Sequence, residues 1–326
     1  MYSRTTWIGV LMTIPPTADS PGPGVRPTAE GIVSGLDLTG RTCVITGASA
    51  GLGRESARAL AGAGAHVVLT ARRDDALEAA AAEIRREIPS ARLSTVVLDL
   101  ASLDGIRVAA ARIAELAPAI HVLMNNAGVM FTPFARTADG FEVQIGTNHL
   151  GHFELTRLLL DRLRAADGAR IVNLASEGYR LADVDLADSQ WEKRDYDKFL
   201  AYGASKTANI LHAVELDRRL RDDGIRVCAV HPGRVATRLA RHMTRADIAS
   251  VPVARAKTPG RSRPDHGVRT PQEGAATQVW AAAHPEPLGL DGVYFADCAT
   301  QLDIAGYAVD ADRAAQLWEL SERLCR

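Results

Sequence analysis

The chain has 326 residues, of which 47% are apolar and 24% charged, and its formal net charge is −1. These values are typical of a soluble globular protein, and the near-neutral charge argues against a nucleic acid or an anionic membrane as the main partner. The length allows one large domain or two ordinary ones. The four cysteines lie far apart without a C-x-x-C pair, which favours a reduced, cytoplasmic protein, although Cys298 and Cys325 could pair.

The first 35 residues are predicted to form a flexible N-terminal arm outside the fold. Residues 7–14 (WIGVLMTI) are apolar, but eight such residues are too few to cross a bilayer, so no membrane anchor is expected. The segment that follows is rich in Pro, Gly and Ser, a composition typical of flexible linkers. Met12 is an alternative start of translation.

From residue 36 onward, short apolar runs alternate with segments of helical period. The runs predict seven strands at residues 43–46, 66–70, 94–98, 122–124, 171–174, 227–230 and 293–295. The helical segments lie at about 52–64, 75–88, 103–116, 137–165, 203–222, 272–284 and 311–324. Near-continuous apolar strands between helices indicate a mostly parallel sheet covered on both faces, the doubly wound α/β class. No linker interrupts residues 36–326, so a single domain is predicted.

A glycine-rich turn follows the first predicted strand. The sequence VITGASAGLGRES places Gly47, Gly51 and Gly53 between that strand and the next helix. Glycines let the backbone approach a pyrophosphate closely, and a helix N-terminus offers N–H groups and a favourable dipole. The strand–turn–helix context therefore predicts a dinucleotide site rather than a plain tight turn.

The second predicted strand ends in VVLTARRDD. A site that prefers NAD would carry an acidic residue near this point, but Ala71 occupies the place and Arg72 follows it. An arginine can form a charge-assisted pair with a 2′-phosphate, so NADP is favoured as cofactor and NAD is the second choice. The alternative is a solvated loop in which the charges of RRDD neutralise one another.

Further polar motifs follow the later strands, where a doubly wound sheet binds its ligands. They are VLMNNAGV, GTNHLGHF, IVNLASEG, YGASK and HPGRVAT. Together with TGASAGLG, and in this order from residue 36 to about 300, they resemble the short-chain dehydrogenase/reductase family. The stretches NHLGHF and YGASKTANIL, with the long polar segment between them, are most like the retinol-dehydrogenase-like and protochlorophyllide-reductase-like members.

The resemblance implies a Rossmann-type fold with a catalytic tetrad. Tyr202 would be the general acid in carbonyl reduction and the base in alcohol oxidation, while Lys206 would bind the nicotinamide ribose and hold the phenolate. Ser176 would hydrogen-bond the substrate oxygen, and Asn148 would anchor a water that links the lysine to solvent. Besides Tyr202, Lys206, Gly53 and Arg72, the cofactor contacts would be Gly47, Ser49, Ala50, Gly51, Leu52, Asp99, Leu100, Asn126 and Val235.

The residue chemistry supports the Tyr202–Lys206 pair independently. Positions i and i+4 of a helix face the same side, so both can reach one ligand. An unperturbed tyrosine pKa of about 10 is too high for an efficient base near neutrality, and a nearby ammonium and an oxidised nicotinamide are expected to lower it. Taken singly, Tyr202 could be an ordinary amphipathic-helix residue, Lys206 a solvated charge, Ser176 a strand-end cap and Asn148 a helix N-cap.

Two histidines and two long segments need separate interpretations. His149 and His152 have H-x-x-H spacing, but no other ligand cluster accompanies them, so no metal is predicted.

Ser176 and Tyr202 are 26 positions apart, roughly twice the usual family spacing. The extra segment, about residues 177–200, is either a solvated insertion or a wall of the substrate pocket. Residues 238–270, rich in Arg and Pro, occupy the place of the family's substrate lid and could either favour an anionic or carrier-tethered substrate or be disordered.

These features predict an oxidoreductase that transfers a hydride between NADP(H) and a small-molecule carbonyl or alcohol substrate. The alternative is a non-catalytic NAD(P)-binding sensor or scaffold protein of the same fold. The resemblance also implies a homodimer or homotetramer, in which the helices at about 148–165 and 203–222 pack against a second subunit.

Overall fold

The computed structural model describes residues 26–235, 237–244, 247, 267–289 and 293–326. An eight-stranded sheet in the order β3-β2-β1-β4-β5-β6-β7-β8 runs through this part of the chain. Its strands are β1 Thr42–Thr46, β2 His66–Ala71, β3 Arg92–Val97, β4 Val122–Asn125, β5 Arg170–Leu174, β6 Arg226–His231, β7 Tyr294–Ala296 and β8 Ala299–Thr300. The pairs from β3 to β7 are parallel, and β8 pairs antiparallel to β7. The strand order reverses beside β1, which is where such sheets form their ligand crevice.

Helices cover both faces of the sheet. They are α1 Ala29–Val33, α2 Gly51–Gly62, α3 Asp74–Glu87, α4 Leu103–Leu116, α5 Val143–Ile145, α6 Gly151–Arg164, α7 Lys198–Leu220, α8 Pro271–Ala283 and α9 Ala311–Leu324. A π-helical turn, Gly146–Leu150, joins α5 to α6, and a 3-10 segment, Glu177–Leu181, follows β5.

Alternating side chains of each strand build the two apolar layers. In β1, Val44 packs in the layer shared with α4, α6 and α7, whereas Ile45 packs in the layer shared with α2, α3 and α8. Both side chains are fully buried. Successive residues of a strand point to opposite faces, so a run in which every residue is apolar is buried on both sides. The predicted doubly wound, mostly parallel sheet is therefore confirmed.

Three elements differ from the sequence-based expectation. The sheet has an eighth strand, β8, whose two residues are too short a run to show a strand pattern. The helix expected over 137–165 begins only at Val143 and contains the π-helical turn. The helix expected at 203 begins at Lys198, because the Asp197 side chain accepts hydrogen bonds from two first-turn amides, at 2.8 and 3.1 Å, and caps it there.

The fold begins before residue 36, so residues from 28 onward, which were predicted to lie outside the fold, belong to it. Thr28 caps the short helix α1 by accepting a hydrogen bond from the Gly31 amide at 3.1 Å. Ala29 and Val33 are buried in the same apolar layer as α2 and α8. Residues 1–25, including the alternative start at Met12, lie outside the described residues.

Helix α7 is buried on all sides. Every residue from 201 to 217 is buried except Val214, which is half-buried. One side packs on the sheet, and Leu211 on another side packs against Ala314 and Leu317 of α9. A helix that is covered all round belongs to the interior of its own chain. No helix among the described residues is long and apolar enough to span a membrane.

Candidate active site

Tyr202 and Lys206 lie one turn apart near the start of α7, at the carboxyl end of β5. Both side chains are buried, with 3% exposure each. The Lys206 Nζ donates a hydrogen bond of 2.8 Å to the Leu174 carbonyl oxygen, at the last residue of β5. The same Nζ lies 5.8 Å from the centre of the Tyr202 ring. The helix thus brings the phenol and the amine together at the sheet edge where ligands bind.

Burial shifts the pKa of both groups towards their neutral forms. It raises the pKa of Tyr202 to about 12, against a smaller lowering by a hydrogen bond with Ser176. It lowers the pKa of Lys206 to about 7. Without a cofactor, burial therefore dominates the pKa of Tyr202, and the lowering expected from an ammonium and an oxidised nicotinamide stays a prediction for the cofactor-bound site. At neutral pH the phenol is protonated.

Ser176 stands beside the phenol and also caps the 3-10 segment that follows β5. Its Oγ accepts a hydrogen bond of 3.0 Å from the Gly178 amide, in addition to the hydrogen bond with Tyr202. A Cβ atom on Gly178 would lie 2.7 Å from Cε1 of Tyr202. The glycine therefore lets the segment carrying Ser176 close directly onto the tyrosine ring.

Asn148 lies in the π-helical turn and hydrogen-bonds to the loop after β4 and to helix α7. Its Oδ1 accepts from the Val129 amide at 2.8 Å, and its Nδ2 donates to the Val129 carbonyl at 3.0 Å and to the Ser205 Oγ at 2.9 Å. A Cβ on Gly128 would lie 3.1 Å from Asn148 Oδ1 and 3.7 Å from Lys206 Nζ. Asn148 is thus beside Lys206 and is not a helix N-cap. Single π-helical turns inside α-helices are frequent at functional sites.

His152 links Asn148 to the end of β1. Its Nδ1 lies 2.9 Å from the Asn148 carbonyl oxygen, and its Nε2 lies 2.8 Å from the Thr46 Oγ1. A carbonyl oxygen only accepts hydrogen bonds, so Nδ1 carries the proton and Nε2 accepts from the threonine. Burial lowers the pKa of His152 to about 4. Within the described residues there is no group of three or more side chains suited to hold a metal ion.

The glycine-rich turn leaves the N-terminus of α2 open. Gly47 and Gly51 have φ values of 68° and 57°, in the left-handed region that glycine adopts without strain. Ala50 is the N-cap and has no side-chain oxygen to cap the helix, and no acidic residue lies in its first turn. A Cβ on Gly53 would lie 2.5 Å from Asn126 Nδ2. The turn thus has the free N–H groups and the close packing that a bound pyrophosphate requires.

The remaining predicted cofactor residues lie along the same sheet edge. Leu52 and Val235 approach each other across Gly274, where a Cβ would lie 2.8 Å from the leucine and 2.6 Å from the valine. Ser49 is half-buried and Ala50 exposed within the turn. Asp99 and Leu100 lie just beyond β3, which ends at Val97, and the Leu100 side chain is buried against α6 at Gly151 rather than open to the crevice.

Only one arginine of the RRDD stretch is neutralised within it. Arg73 forms a two-bond pair with the Asp75 carboxylate. Arg72 is exposed just beyond β2 and has no hydrogen bond or ion pair with any residue that the structure describes. Burial lowers the pKa of Arg241 and the positive charge of Arg72 adds to that shift, so a second guanidinium lies near Arg72. Two cations near the end of β2 favour an anionic ligand there.

Sequence reasoning missed Phe131, which lies in the loop after β4. Its ring centre is 5.0 Å from that of Tyr202 and 4.6 Å from that of Phe199. The only signal in the sequence was an aromatic residue five positions after Asn126. Of the predicted substrate elements, 177–200 is described, whereas most of 238–270 lies outside the described residues.

A parallel sheet with an uncapped glycine-rich turn and a buried tyrosine–lysine pair defines a dinucleotide-binding α/β protein. Residues 41–247 match the family model for short chain dehydrogenases. Human retinol dehydrogenase 14 is 38% identical over 320 residues, covering 92% of this chain and 90% of that protein. Short-chain dehydrogenase TIC 32 B, chloroplastic, of Brassica napus is 36% identical over 316 residues, covering 94% and 95%. The chain belongs to the short-chain dehydrogenase family.

Solved structures agree with this assignment. An uncharacterised protein of Mycobacterium paratuberculosis is 35% identical, with a TM-score of 0.69 over 92% of this chain and 98% of that one. The RhlG/NADP active-site complex of Pseudomonas aeruginosa is 26% identical, with a TM-score of 0.60 over 80% and 95%. The family resemblance inferred from the motifs is confirmed.

Proposed function

We propose that the protein interconverts a carbonyl and an alcohol with NADP(H), and that Tyr202 exchanges the proton. The observation that carries the proposal is the convergence of Tyr202, Ser176 and Lys206 at the sheet edge that also holds the open glycine-rich turn. A bound nicotinamide would supply or accept the hydride, and the protein would supply the proton and the geometry.

The protonation state of the site suits the reduction of a carbonyl. At neutral pH burial keeps the Tyr202 phenol protonated, the form that donates a proton to an oxygen as negative charge develops on it. The Ser176 hydroxyl, which bonds the same phenol, would hydrogen-bond that substrate oxygen. Lys206 would stabilise the phenolate that remains and would bind the cofactor ribose, and Asn148 would hold the adjoining loop in place.

NADP is the cofactor that the charges favour. Arg72 is exposed and not neutralised by the neighbouring aspartates, and Arg241 adds positive charge near it. A 2′-phosphate would pair with such a guanidinium, whereas a ribose 2′-hydroxyl would gain little from it. NAD is the weaker alternative.

The oligomeric state and the location are further parts of the proposal. Because α7 is covered by its own chain, including α9, we propose that any homodimer or homotetramer forms without α7, while the part of the expected interface at α6 stays a prediction. All four cysteines are free thiols, which supports a reduced compartment such as the cytoplasm. The alternative of a non-catalytic sensor or scaffold protein is disfavoured because Tyr202, Lys206, Ser176 and Asn148 are all in place.

The experiment that tests the activity follows NADPH absorbance with a panel of aldehydes and ketones. Tyr202→Phe should lower kcat by about 100-fold or more, since it removes only the proton donor. NADPH binding, followed by its fluorescence, should persist in this variant. Undiminished turnover by Tyr202→Phe would refute the assigned proton donor, and NADPH binding without turnover by the unaltered protein would favour the sensor.

A further inference from the structure

The insertion before α7 is fastened to the body of the protein by the hydroxyl of Tyr196. This hydroxyl lies 3.0 Å from the Glu142 carboxylate and 3.2 Å from the Thr132 carbonyl oxygen, the two acceptors for its one proton, and it accepts from the Gln144 amide nitrogen at 2.9 Å. Glu142 and Gln144 are both completely buried. We refer to Glu142, Gln144 and Tyr196 as the Tyr196 brace. A second contact supports it, because Gln190 Oε1 of the insertion accepts from the Glu142 amide at 2.9 Å.

The brace holds Phe131 in a backbone conformation that an aromatic residue rarely adopts. Phe131 has a φ of 53°, in the left-handed region, and its amide donates to Gln144 Oε1 at 2.8 Å. Non-glycine residues in this region persist only when their surroundings fix them, and they cluster at functional sites. Gln144 also donates to the Lys198 carbonyl at 2.9 Å, so one buried amide joins the loop after β4 to the start of α7.

The result of this arrangement is an aromatic wall beside the phenol. The Phe131 ring meets the Tyr202 ring edge-on at 5.0 Å between centres, and Phe199, in the first turn of α7, lies 4.6 Å from Phe131. Phe134 packs on the Tyr196 ring at 5.1 Å between centres and is 47% exposed. Gln144 links the two groups of rings, because it bonds both the Phe131 amide and the Tyr196 hydroxyl. Together they form a wall from the buried phenol towards solvent, and the insertion supplies part of it.

The brace is also continuous with the rest of the site. The Glu142 carboxylate caps α5 by accepting from the Gln144 and Ile145 amides, at 2.9 and 2.8 Å. Helix α5 leads directly into the π-helical turn that carries Asn148. Burial raises the pKa of Glu142, and the hydrogen bonds of these amides and of Tyr196 oppose that shift. The carboxylate thus depends on the Tyr196 hydroxyl for one of its few partners.

We propose that Tyr196 is a positioning residue that fixes Phe131 beside Tyr202 and makes residues 177–200 a rigid wall on the substrate side of the site. The wall selects substrates by the shape of the group attached to the reacting carbonyl. This proposal rests on the carbonyl–alcohol activity proposed above for the same site. It favours the pocket-wall interpretation of the insertion over a solvated surface loop.

The first test compares two aldehydes of different shape, propanal and benzaldehyde, with NADPH. In Tyr196→Phe, which removes one hydroxyl, the ratio of kcat/KM for the two aldehydes should change by about 10-fold, mainly through KM, with the KM for NADPH unchanged. Phe131→Gly should change the ratio similarly, because glycine accepts the left-handed backbone and removes the ring. Equal loss of kcat/KM on both aldehydes in both variants would overturn the proposal.

Tyr307→Phe is the matched control. Tyr307 is half-buried and its hydroxyl donates to the Tyr179 carbonyl at 3.1 Å, at the opposite end of residues 177–200 from Tyr196 and the brace. Removal of the Tyr307 hydroxyl should lower the thermal stability by an amount similar to that in Tyr196→Phe. It should leave the ratio of kcat/KM for the two aldehydes unchanged. A ratio that changes as much in this control as in Tyr196→Phe would mean that the effect is general loosening and would refute a positioning role.

Hydrogen exchange tests the brace without any activity. Tyr196→Phe should accelerate exchange in peptides covering residues 131–134 and 190–199, while α8 peptides exchange as before. Unchanged exchange in the first two peptides would refute the brace, whatever the kinetics. If the unaltered protein reduces no carbonyl and exchange still responds, the proposed function fails while the positioning of Phe131 by Tyr196 stands.

Discussion

Gly178 and Tyr202 are in contact so close that only glycine fits: a Cβ on Gly178 would lie 2.7 Å from Cε1 and 3.1 Å from Cδ1 of the phenol ring. The glycine has an ordinary negative φ, so its role is space and not backbone freedom. Ser176, two residues earlier, shares this segment, so the contact also sets the distance between the two hydroxyls.

Gly178→Ala is expected to displace the Tyr202 ring and to lower kcat by about 100-fold, because a shift of about 1 Å in a reacting group has that effect. NADPH affinity should change little. Steady-state kinetics and a binding titration measure the two quantities. Gly306→Ala is the control, since a Cβ there would meet no atom within 4 Å; equal kinetics in both variants would contradict the contact's importance.

Lys206→Met is expected to abolish turnover and to stabilise the protein without cofactor. Folding lowers the pKa of Lys206 from 10.5 to about 7, so between these values the unfolded chain binds more protons. The buried lysine therefore destabilises the folded protein fully below about pH 7, and this destabilisation disappears as the pH rises towards 10.5. The Leu174 carbonyl keeps a partner, because Asn209 Nδ2 also donates to it at 3.0 Å.

Thermal unfolding at several pH values measures this effect. The Tm of Lys206→Met should exceed that of the unaltered protein by about 2–4 °C at pH 7, and the difference should shrink at pH 9.5. Lys193→Met should give no such gain, because Lys193 is exposed. A lower Tm for Lys206→Met at pH 7, or a gain that is independent of pH, would show that burial does not depress this pKa.

Arg72→Ala is expected to weaken the binding of NADPH by about 10- to 100-fold, because one charge-assisted pair is lost. The binding of NADH should change little. Arg73→Ala is the matched control, because its guanidinium is already paired with Asp75. Dissociation constants for both cofactors with both variants give the answer. The same change for NADPH and NADH in Arg72→Ala would mean that the arginine is only solvated.

Helix α7 is expected to have the same hydrogen exchange at low and high protein concentration. Its residues from 201 to 217 are already covered by their own chain, so an oligomer formed elsewhere would add no protection to them. Exchange at concentrations below and above any association seen by light scattering tests this. If the protection of α7 increases with association, α7 lies in the subunit interface, as the family resemblance implies.

The sequence predicted the features that depend on local pattern. The strands show as apolar runs, the turn as glycines at fixed offsets, and the Tyr202–Lys206 pair as an i, i+4 spacing. The left-handed conformation of Phe131 was not predictable, because it depends on Gln144 and Tyr196, which are distant in sequence. The raised pKa of Tyr202 in the absence of cofactor was not predictable, because it depends on how completely the fold excludes water around the ring.

Position along the chain also misled the prediction at the N-terminus. A Pro/Gly-rich context suggested a flexible arm to residue 35, but Ala29 and Val33 pack in the same apolar layer as α2 and α8. Five residues are too short to show a helical period, so only the tertiary contact identifies α1 as part of the fold.

The π-helical turn at Gly146–Leu150 holds one more residue per turn than the helix on either side. Deleting a single residue there would restore regular winding and leave α5 and α6 in nearly the same relative phase, because the wider turn takes up the extra residue locally. The residues of the turn itself, Asn148 among them, would lose the positions that the wider turn gives them. The surplus amino acid thus serves the proton-transfer centre, and a frameshift-free deletion of that length would displace this centre while leaving the aromatic wall in place.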